Sequence, residues 1–315
     1  MAKSVVVVGS LSVDFVMRVP RRPEKGETLT GIDFNTFVGG KGNNQALAAA
    51  RAGAQVAMIG CVGTDAYGDT LAQKLAESKV NVNHLIRRTE VGTGIANIYV
   101  DPQGDNSIVI IPQANATLDE QVLRDANDTI CGADILMLQL ECPIETTTTA
   151  AKQAKAKGVT VMLNPAPAPP SGDLPIELWN SIDLLVPNQS EAEILTGIKC
   201  TDLGSAQKAA KALQAKGAKE VILTLGEDGA LIMDRDGVLT HVPAFRVNPI
   251  DTTAAGDAFC GACAASLAAG LSLAEAVRIG CAAGALATTK AGAEPSLPCR
   301  DEIEDLITQQ MQATR

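Results

Sequence analysis

Aromatic side chains are nearly missing from this chain: one Trp, two Tyr and five Phe make up 3% of its 315 residues. A core without aromatics has to be built from Val, Ile, Leu and Ala, which suits a buried parallel sheet with helices packed on it. Histidine is scarcer still. His84 and His241 stand alone and neither lies in a metal-ligand pattern, which argues against histidine chemistry. Basic charge is also short, since 26 Lys and Arg against 36 Asp and Glu leave a net charge of −10. That balance argues against nucleic acid and against an anionic membrane surface as partners. No apolar run suits a membrane span. The stretch 258–274 is rich in Ala, Gly and Ser, is bounded by Asp257 and Glu275, and reads as a buried helix. Val5–Val8 is too short for a secretory signal and Asp14 soon breaks it, so a cytoplasmic protein is expected. Eight cysteines then read as free thiols in a reducing compartment. Cys260 and Cys263 have the CxxC spacing, but no second pair follows at zinc-ribbon spacing, so they read as small core residues.

What the chain does have is an alternation of short apolar runs and helical patterns. Strands are predicted at 5–8, 55–61, 135–140, 160–163, 184–186 and 221–224, and helices at 43–52, 70–77, 144–157, 190–196 and 205–216. Alternation at this spacing predicts an α/β fold with a doubly wound, mainly parallel sheet, in a single domain over 1–315. Two segments break the rhythm. Residues 13–38 and 92–112 alternate apolar and polar side chains without helices, and Pro102-Gln103-Gly104-Asp105 has the composition of a hairpin turn. Together they predict a small antiparallel sheet inserted in the α/β core, suited to a lid, a dimer surface or both.

The richest motif is Asp251-Thr252-Thr253-Ala254-Ala255-Gly256-Asp257, which leads into the small-residue stretch. If a helix begins there, the amides of Ala255, Gly256 and Asp257 lie at its positive end and form an anion site. A carboxylate beside an anion cradle has work to do when a hydroxyl must be activated toward a phosphoryl group; otherwise Asp257 is an ordinary first-turn acid. Gly39-Gly40-Lys41-Gly42-Asn43-Asn44 joins the accessory sheet to a helix, with glycines for close approach and Lys41 and Asn44 as donors. It is not a Walker A loop, and a GxGxxG fingerprint is absent, so neither a P-loop nor a dinucleotide fold gains support. Asp14 after the first strand and Glu141 after the 135–140 strand suit the vicinal hydroxyls of a sugar, or are solvated loop charges. Asn188 and Glu191 could hold the waters of a hydrated Mg²⁺, or form a helix cap, and taken alone the cap is preferred. Thr224-Leu225-Gly226-Glu227-Asp228-Gly229 fits either a nucleotide-lining turn or an ordinary β-turn.

These parts converge on a resemblance to the ribokinase-like family of ATP-dependent sugar kinases, and within it to the ribokinases. It covers nearly the whole chain, from Val5 to about Glu302. It rests on Gly39-Gly40-Lys41-Gly42 with Asn44-Gln45-Ala46, on Gln139-Leu140-Glu141, on Asn164-Pro165-Ala166-Pro167-Ala168, on Asp251–Asp257 and on Gly292-Ala293-Glu294-Pro295-Ser296. The resemblance implies that Asp257 is the catalytic base, with Ala254, Ala255 and Gly256 forming the anion hole for the transferring phosphoryl group. It implies a sugar pocket of Ser12, Asp14, Gly40, Lys41, Gly42, Asn43, Asn44, Glu141 and Asp257. The ATP site falls on Asn188, Thr224, Leu225, Gly226, Glu227, Asp228, Gly229, Gly256 and Asp257, with Glu191 organising Mg²⁺ through water. A K⁺ site is implied at Asp251, Thr253, Ala287, Lys290, Gly292 and Ser296, several of them through backbone carbonyls. A homodimer through the accessory sheets is implied as well. One departure stands out: ribokinases often carry Ala where this chain has Asn43, read here as a helix-start substitution.

The expected activity is phosphorylation of D-ribose at its 5-hydroxyl by ATP. Kinases of the same fold acting on deoxyribose, another sugar or a nucleoside are the nearest alternatives, and scarce aromatics weigh against the nucleoside. A catalytically silent sugar sensor would have no need of Asp257, and a nicotinamide oxidoreductase lacks its glycine fingerprint.

Overall fold

A computed structural model describes residues 4–103 and 106–313. The chain enters at β1 (Ser4–Val8), leaves the core through β2 (Ser12–Arg18) and β3 (Asp33–Gly39), and returns at α1 (Lys41–Arg51). Then come β4 (Gln55–Gly63), α2 (Ala66–Glu77) and β5 (Asn81–Arg88), followed by a second excursion through β6 (Gly94–Val100) and β7 (Asn106–Ile111). Short helices α3 (Glu120–Asp125) and α4 (Asn127–Cys131) lead back to β8 (Ile135–Leu138). The chain continues with α5 (Ile144–Lys155), β9 (Thr160–Leu163), α6 (Ile176–Trp179), β10 (Leu184–Leu185), α7 (Gln189–Thr196) and α8 (Leu203–Ala215). Next are β11 (Glu220–Thr224), β12 (Ala230–Met233) and β13 (Leu239–Val242). Three helices close the chain: α9 (Ala255–Ala268), α10 (Leu273–Ala287) and α11 (Arg300–Ala313).

Among the described residues nine strands form the main sheet in the order β13-β12-β11-β10-β9-β8-β1-β4-β5, parallel except for the pairs β11/β12 and β12/β13. Alternation along β1 divides the core in two. Val5 and Val7 pack with α1, α9 and α10, while Val6 and Val8 pack with α5 and α8. The chain moves from β1 outward to β4 and β5, then returns to the other side of β1 at β8. That reversal opens a crevice at the strand carboxyl ends, where ligands bind in open α/β sheets.

The second sheet has the order β3-β2-β6-β7. The hairpin joining β6 and β7 forms as expected, although Gly104 and Asp105 of its turn lie outside the described residues. The sheet is mixed, not antiparallel throughout: β2 and β6 run parallel, because both leave the main sheet in the same direction. Periodicity also missed β5, β12, β13, α10 and α11. Residues 81–88 crowd Asn, His and Arg among the apolar positions, and 273–287 has only Glu275 and Arg278 to mark a polar face, so neither shows a clean period.

Candidate active site

The site is built where α9, α1 and the loops after β1 and β8 meet. Helix α9 starts abruptly: its cap, Ala254, has φ 59°, the left-handed region, and turns the chain straight into the helix. The Ala255 amide is used in a turn, donating to the Thr252 carbonyl at 3.2 Å, and the Ala258 amide donates to Ala254 at 2.8 Å. This leaves the N–H groups of Gly256 and Asp257 without an intrahelical acceptor. A Cβ at 256 would meet nothing within 4 Å, so there is open space beside this end of the helix. Of the anion-hole amides expected from sequence, Gly256 and Asp257 are therefore the available pair.

Asp257 is buried, and both carboxylate oxygens are held by neighbouring residues of α1. Asn44 Nδ2 donates to Oδ2 at 3.1 Å and Gln45 Nε2 to Oδ1 at 3.0 Å. The contact exists because α1 and α9 pack closely. A Cβ on Gly261 would lie 2.5 Å from Ala48 Cβ and 2.8 Å from the Gln45 carbonyl, so only glycine lets the helices approach this far. Gly40, at φ 89°, caps α1, and a Cβ there would strike the backbone of Leu11 and Ser12 at 2.8 Å.

Glu141 secures that loop. Its Oε2 accepts from the Lys41 amide at 3.0 Å and from Ser10 Oγ, and Ser10 Oγ in turn accepts from the Gly42 amide at 3.3 Å. Asp14 is not at the end of the first strand. That strand breaks at Gly9, and Asp14 lies within β2, paired with Phe37 of β3 and Ala96 of β6. Its Oδ1 accepts from Ser12 Oγ at 3.0 Å. Asn43 does not start a helix either: Gly40 is the cap, and Asn43 is fully buried with Nδ2 3.4 Å from Asn44 Oδ1 and Oδ1 unpartnered. Such a buried orphan oxygen costs stability.

Charge is concentrated here. Burial pushes Asp14 up to about 6, helped by the nearby Glu141 and Asp257, against the pull of Ser12 and Lys41. Burial likewise raises Asp257, opposed by Lys41, Gln45 and Asn44. Glu191 is raised by burial too, while Asn188 and Lys41 pull it down. Burial works against the Lys41 ammonium, but Asp257, Glu141 and Glu191 outweigh it and hold the charge above its ordinary value. Lys41 thus faces several carboxylates, an arrangement that favours hydroxyl donors as guests, while among the described residues no three acids cluster closely enough to hold a metal ion.

Once these residues are placed, comparison decides the family. The model of the pfkB family of carbohydrate kinases matches residues 2–300. The chain belongs to that family. It is 43% identical over 307 residues to a ribokinase of Haemophilus influenzae, covering 98% of this chain and 99% of that protein. It is 35% identical over 304 residues to a deoxyribokinase of Salmonella typhi, covering 96% and 98%. Among solved structures, the ribokinase of Arabidopsis thaliana complexed with ribose and ATP matches with a TM-score of 0.91 at 31% identity, covering 98% and 99%.

In this kinase the remaining expected residues fall in two groups. Asn188 and Glu191 form the reciprocal cap that local reading preferred: Asn188 Oδ1 accepts from the Glu191 amide at 2.8 Å and Glu191 Oε2 from the Asn188 amide at 2.9 Å. Thr224 lies beside Asn188 at the ends of β10 and β11. Leu225 is buried in the core, while Gly226, Glu227 and Asp228 form an exposed turn and Gly229, at φ 92°, closes it. The second group adjoins α9. Asp251 Oδ1 accepts from the amide and hydroxyl of Thr253, and Oδ2 from the Gly292 amide at 2.8 Å. Burial raises Asp251, but these bonds outweigh it and keep the carboxyl below its ordinary range. Ala287 and Ser296 are buried nearby in sequence, with Ser296 Oγ donating to the Ala293 carbonyl. The Lys290 ammonium turns away to Glu302 at 2.8 Å, so toward this loop it can offer only its backbone.

Sequence reasoning assigned no role to Gln45, Gln139 or Asn164, although all three lie in the quoted motifs. Gln45 touches Asp257 directly, and Gln139 and Asn164 hold Gln45. Each follows or lies between apolar strand or helix residues, and a buried Gln or Asn in such a place is itself a signal.

Proposed function

We propose that this kinase transfers the γ-phosphoryl group of ATP to the 5-hydroxyl of D-ribose, with Asp257 as general base. The observation that carries the reading is a buried carboxylate beside two free helix-end amides, with open space beside that end of the helix. Phosphoryl transfer asks chiefly for alignment and charge stabilisation, and preset amides at Gly256 and Asp257 supply it without reorganising. Asp14 and Glu141 lie close enough to Lys41 to act on it or be acted on by it, and with Asn44 they suit the ring hydroxyls of a sugar. Asn188, Thr224 and the turn 226–229 follow the carboxyl ends of β10 and β11, a position that suits a nucleotide in an open α/β sheet.

Two ions belong to this reading. Among the described residues no three acids cluster closely enough to cage a metal, so Mg²⁺ would enter with the nucleotide, held by its phosphates and by water that Glu191 could order, and would supply charge neutralisation there. Asp251 is held anionic, and among the described residues no Lys or Arg pairs with it. A monovalent cation such as K⁺, bound by that carboxylate and carbonyls of 287–296, fits such a loop. We further read the protein as cytoplasmic, because all eight cysteines are free, and as a homodimer through the second sheet.

The deciding experiment is ADP release from ATP·Mg²⁺ with ribose, 2-deoxyribose, fructose or adenosine, in K⁺ or in Na⁺ alone. Ribose-dependent turnover stimulated by K⁺ is expected. Preference for 2-deoxyribose would move the pocket assignment, and the deoxyribokinase relative gives that outcome its standing. Sugar binding without turnover would overturn the kinase reading. Asp257→Asn should lower kcat by about 10²–10⁴-fold with the fold intact by circular dichroism.

A further inference from the structure

Behind Asp257 lies a chain of amides whose every orientation is determined. Asn164 Nδ2 donates to the Val186 carbonyl at 2.8 Å. A carbonyl only accepts, so Asn164 has a single allowed flip and presents Oδ1 to Gln45. Gln45 must then present Nε2, which reaches Asn164 Oδ1 at 3.1 Å and Asp257 Oδ1 at 3.0 Å. The reverse flip would set Gln45 Oε1 against two acceptors. With Nε2 committed, Gln45 Oε1 faces Gln139, whose Nε2 donates to it at 2.7 Å. At the far end Gln139 Oε1 is buried and has no partner among the described residues. A Cβ on residue 9 would lie 2.0 Å from that oxygen, so Gly9 makes room for it.

We propose that Gln45, oriented by Asn164 and Gln139, is a positioning residue for Asp257. An apolar side chain of the same length would fill these positions without stranding the Gln139 oxygen. The fold carries that cost and obtains in return a fixed N–H aimed at one carboxylate oxygen. With Oδ1 tied back by Gln45, Oδ2 is the oxygen left on the side of Asn44 and the substrate loop. Gln45 is fully buried and its donor bonds go only to Asp257 and Asn164, so its effect on the site passes through Asp257.

The inference rests on the reading of Asp257 as base. Lys41 on α1, Glu141 after β8, Asp14 on β2, Glu191 on α7 and Cys260 on α9 are the titratable groups that act on Asp257, and none is altered by the test. Gln45→Met keeps length and removes the donor. A hydrogen bond to the charged form favours that form, so its loss makes the carboxylate harder to ionise. The acid limb of kcat/KM should therefore move to higher pH, by about 0.5–1 unit, with kcat down about tenfold and KM for the sugar within about twofold. The same shift should appear in the ¹³C carboxyl titration of Asp257, which needs no turnover. A folded Gln45→Met protein with an unmoved midpoint, or with raised KM and intact kcat, overturns the proposal. If Gln45→Met does not fold, Gln45→Leu, smaller and equally without a donor, must raise the midpoint in the same direction, and an unmoved midpoint there also overturns it. If the wild-type protein turns over no sugar, the functional reading fails separately, while the ¹³C midpoints still decide whether Gln45 governs Asp257.

Discussion

Asp14 shows how a buried acid works against the fold that carries it. In the unfolded chain it titrates near 3.8, and in the native protein at about 6. Between those values the native state holds the extra proton, so stability falls as pH rises from about 4 to about 6. Above that window the native carboxylate is ionised at a cost of about 2–3 kcal/mol. Asp14→Asn keeps the shape and removes the charge. Chemical denaturation should show the variant more stable than wild type by about that amount at pH 7.5, and nearly equal to it at pH 4. A variant less stable at pH 7.5 would show that Asp14 is not desolvated as described. Such residues are legible by type and place: Asn44 and Asp257 stand beside glycines, and Asp14 and Glu141 are acids that follow predicted strands. Gln45 and Asn164 were hidden, because nothing in a single chain tells a buried amide that aims a carboxylate from one that solvates a turn.

At the scale of elements, α9 explains why the chain spends so many small residues in one stretch. Ala and Gly along α9 let α1 and α10 pack against it; Gly280 and Gly284 of α10 lie against Phe259 and Ala255 as Gly261 lies against Ala48. Only a close α1–α9 pair brings Asn44 and Gln45 within hydrogen-bond reach of Asp257. Two glycines of this helix should therefore respond in opposite ways. Gly261→Ala forces a Cβ against Ala48 and the α1 backbone and should cost about 1–3 kcal/mol, read as a lowered Tm. Gly256→Ala meets no atom and gains helix propensity, so Tm should hold or rise slightly. Its methyl group enters the open space beside this end of the helix, and kcat should fall about tenfold or more if a phosphoryl group occupies that space. Full activity in Gly256→Ala would remove the amides from the mechanism. The helix itself was legible from its small-residue run and its acidic start. Its partners were not, since packing distance is a relation between elements and leaves no periodic mark. The same holds for β5 and α10, which reveal themselves only through the neighbours they cover.

For the molecule as a whole, the unsettled surface is the second sheet. Its edge strand β7 exposes Ile108, Val109, Ile110 and Ile111, each 44–56% open, and Ile32 and Phe34 at the other edge are 63% and 57% open. Open apolar edges invite pairing or covering. Register places Phe37, Asp14, Ala96 and Ile110 in one row across the sheet, so Ile110 shares the face that carries Asp14 into the site. Ile108 lies two residues along on that face, beyond the part the core covers. The sheet is also tied to the loop of Asp251, for Phe37 packs on Gly292, where a Cβ would approach its ring to 3.1 Å. A second copy laid across this face would bury the Ile residues and steady Asp14 together. Local alternation revealed these strands, but not that two of them run parallel or which edges stay open, because strand order depends on where distant segments leave the core. Sedimentation equilibrium should find wild type as a dimer at micromolar concentration. Ile108→Lys combined with Ile110→Lys should give a folded monomer with KM for the sugar raised about tenfold, since buried apolar contact is exchanged for charge. A wild-type monomer, or a double variant that remains dimeric, would move the interface elsewhere.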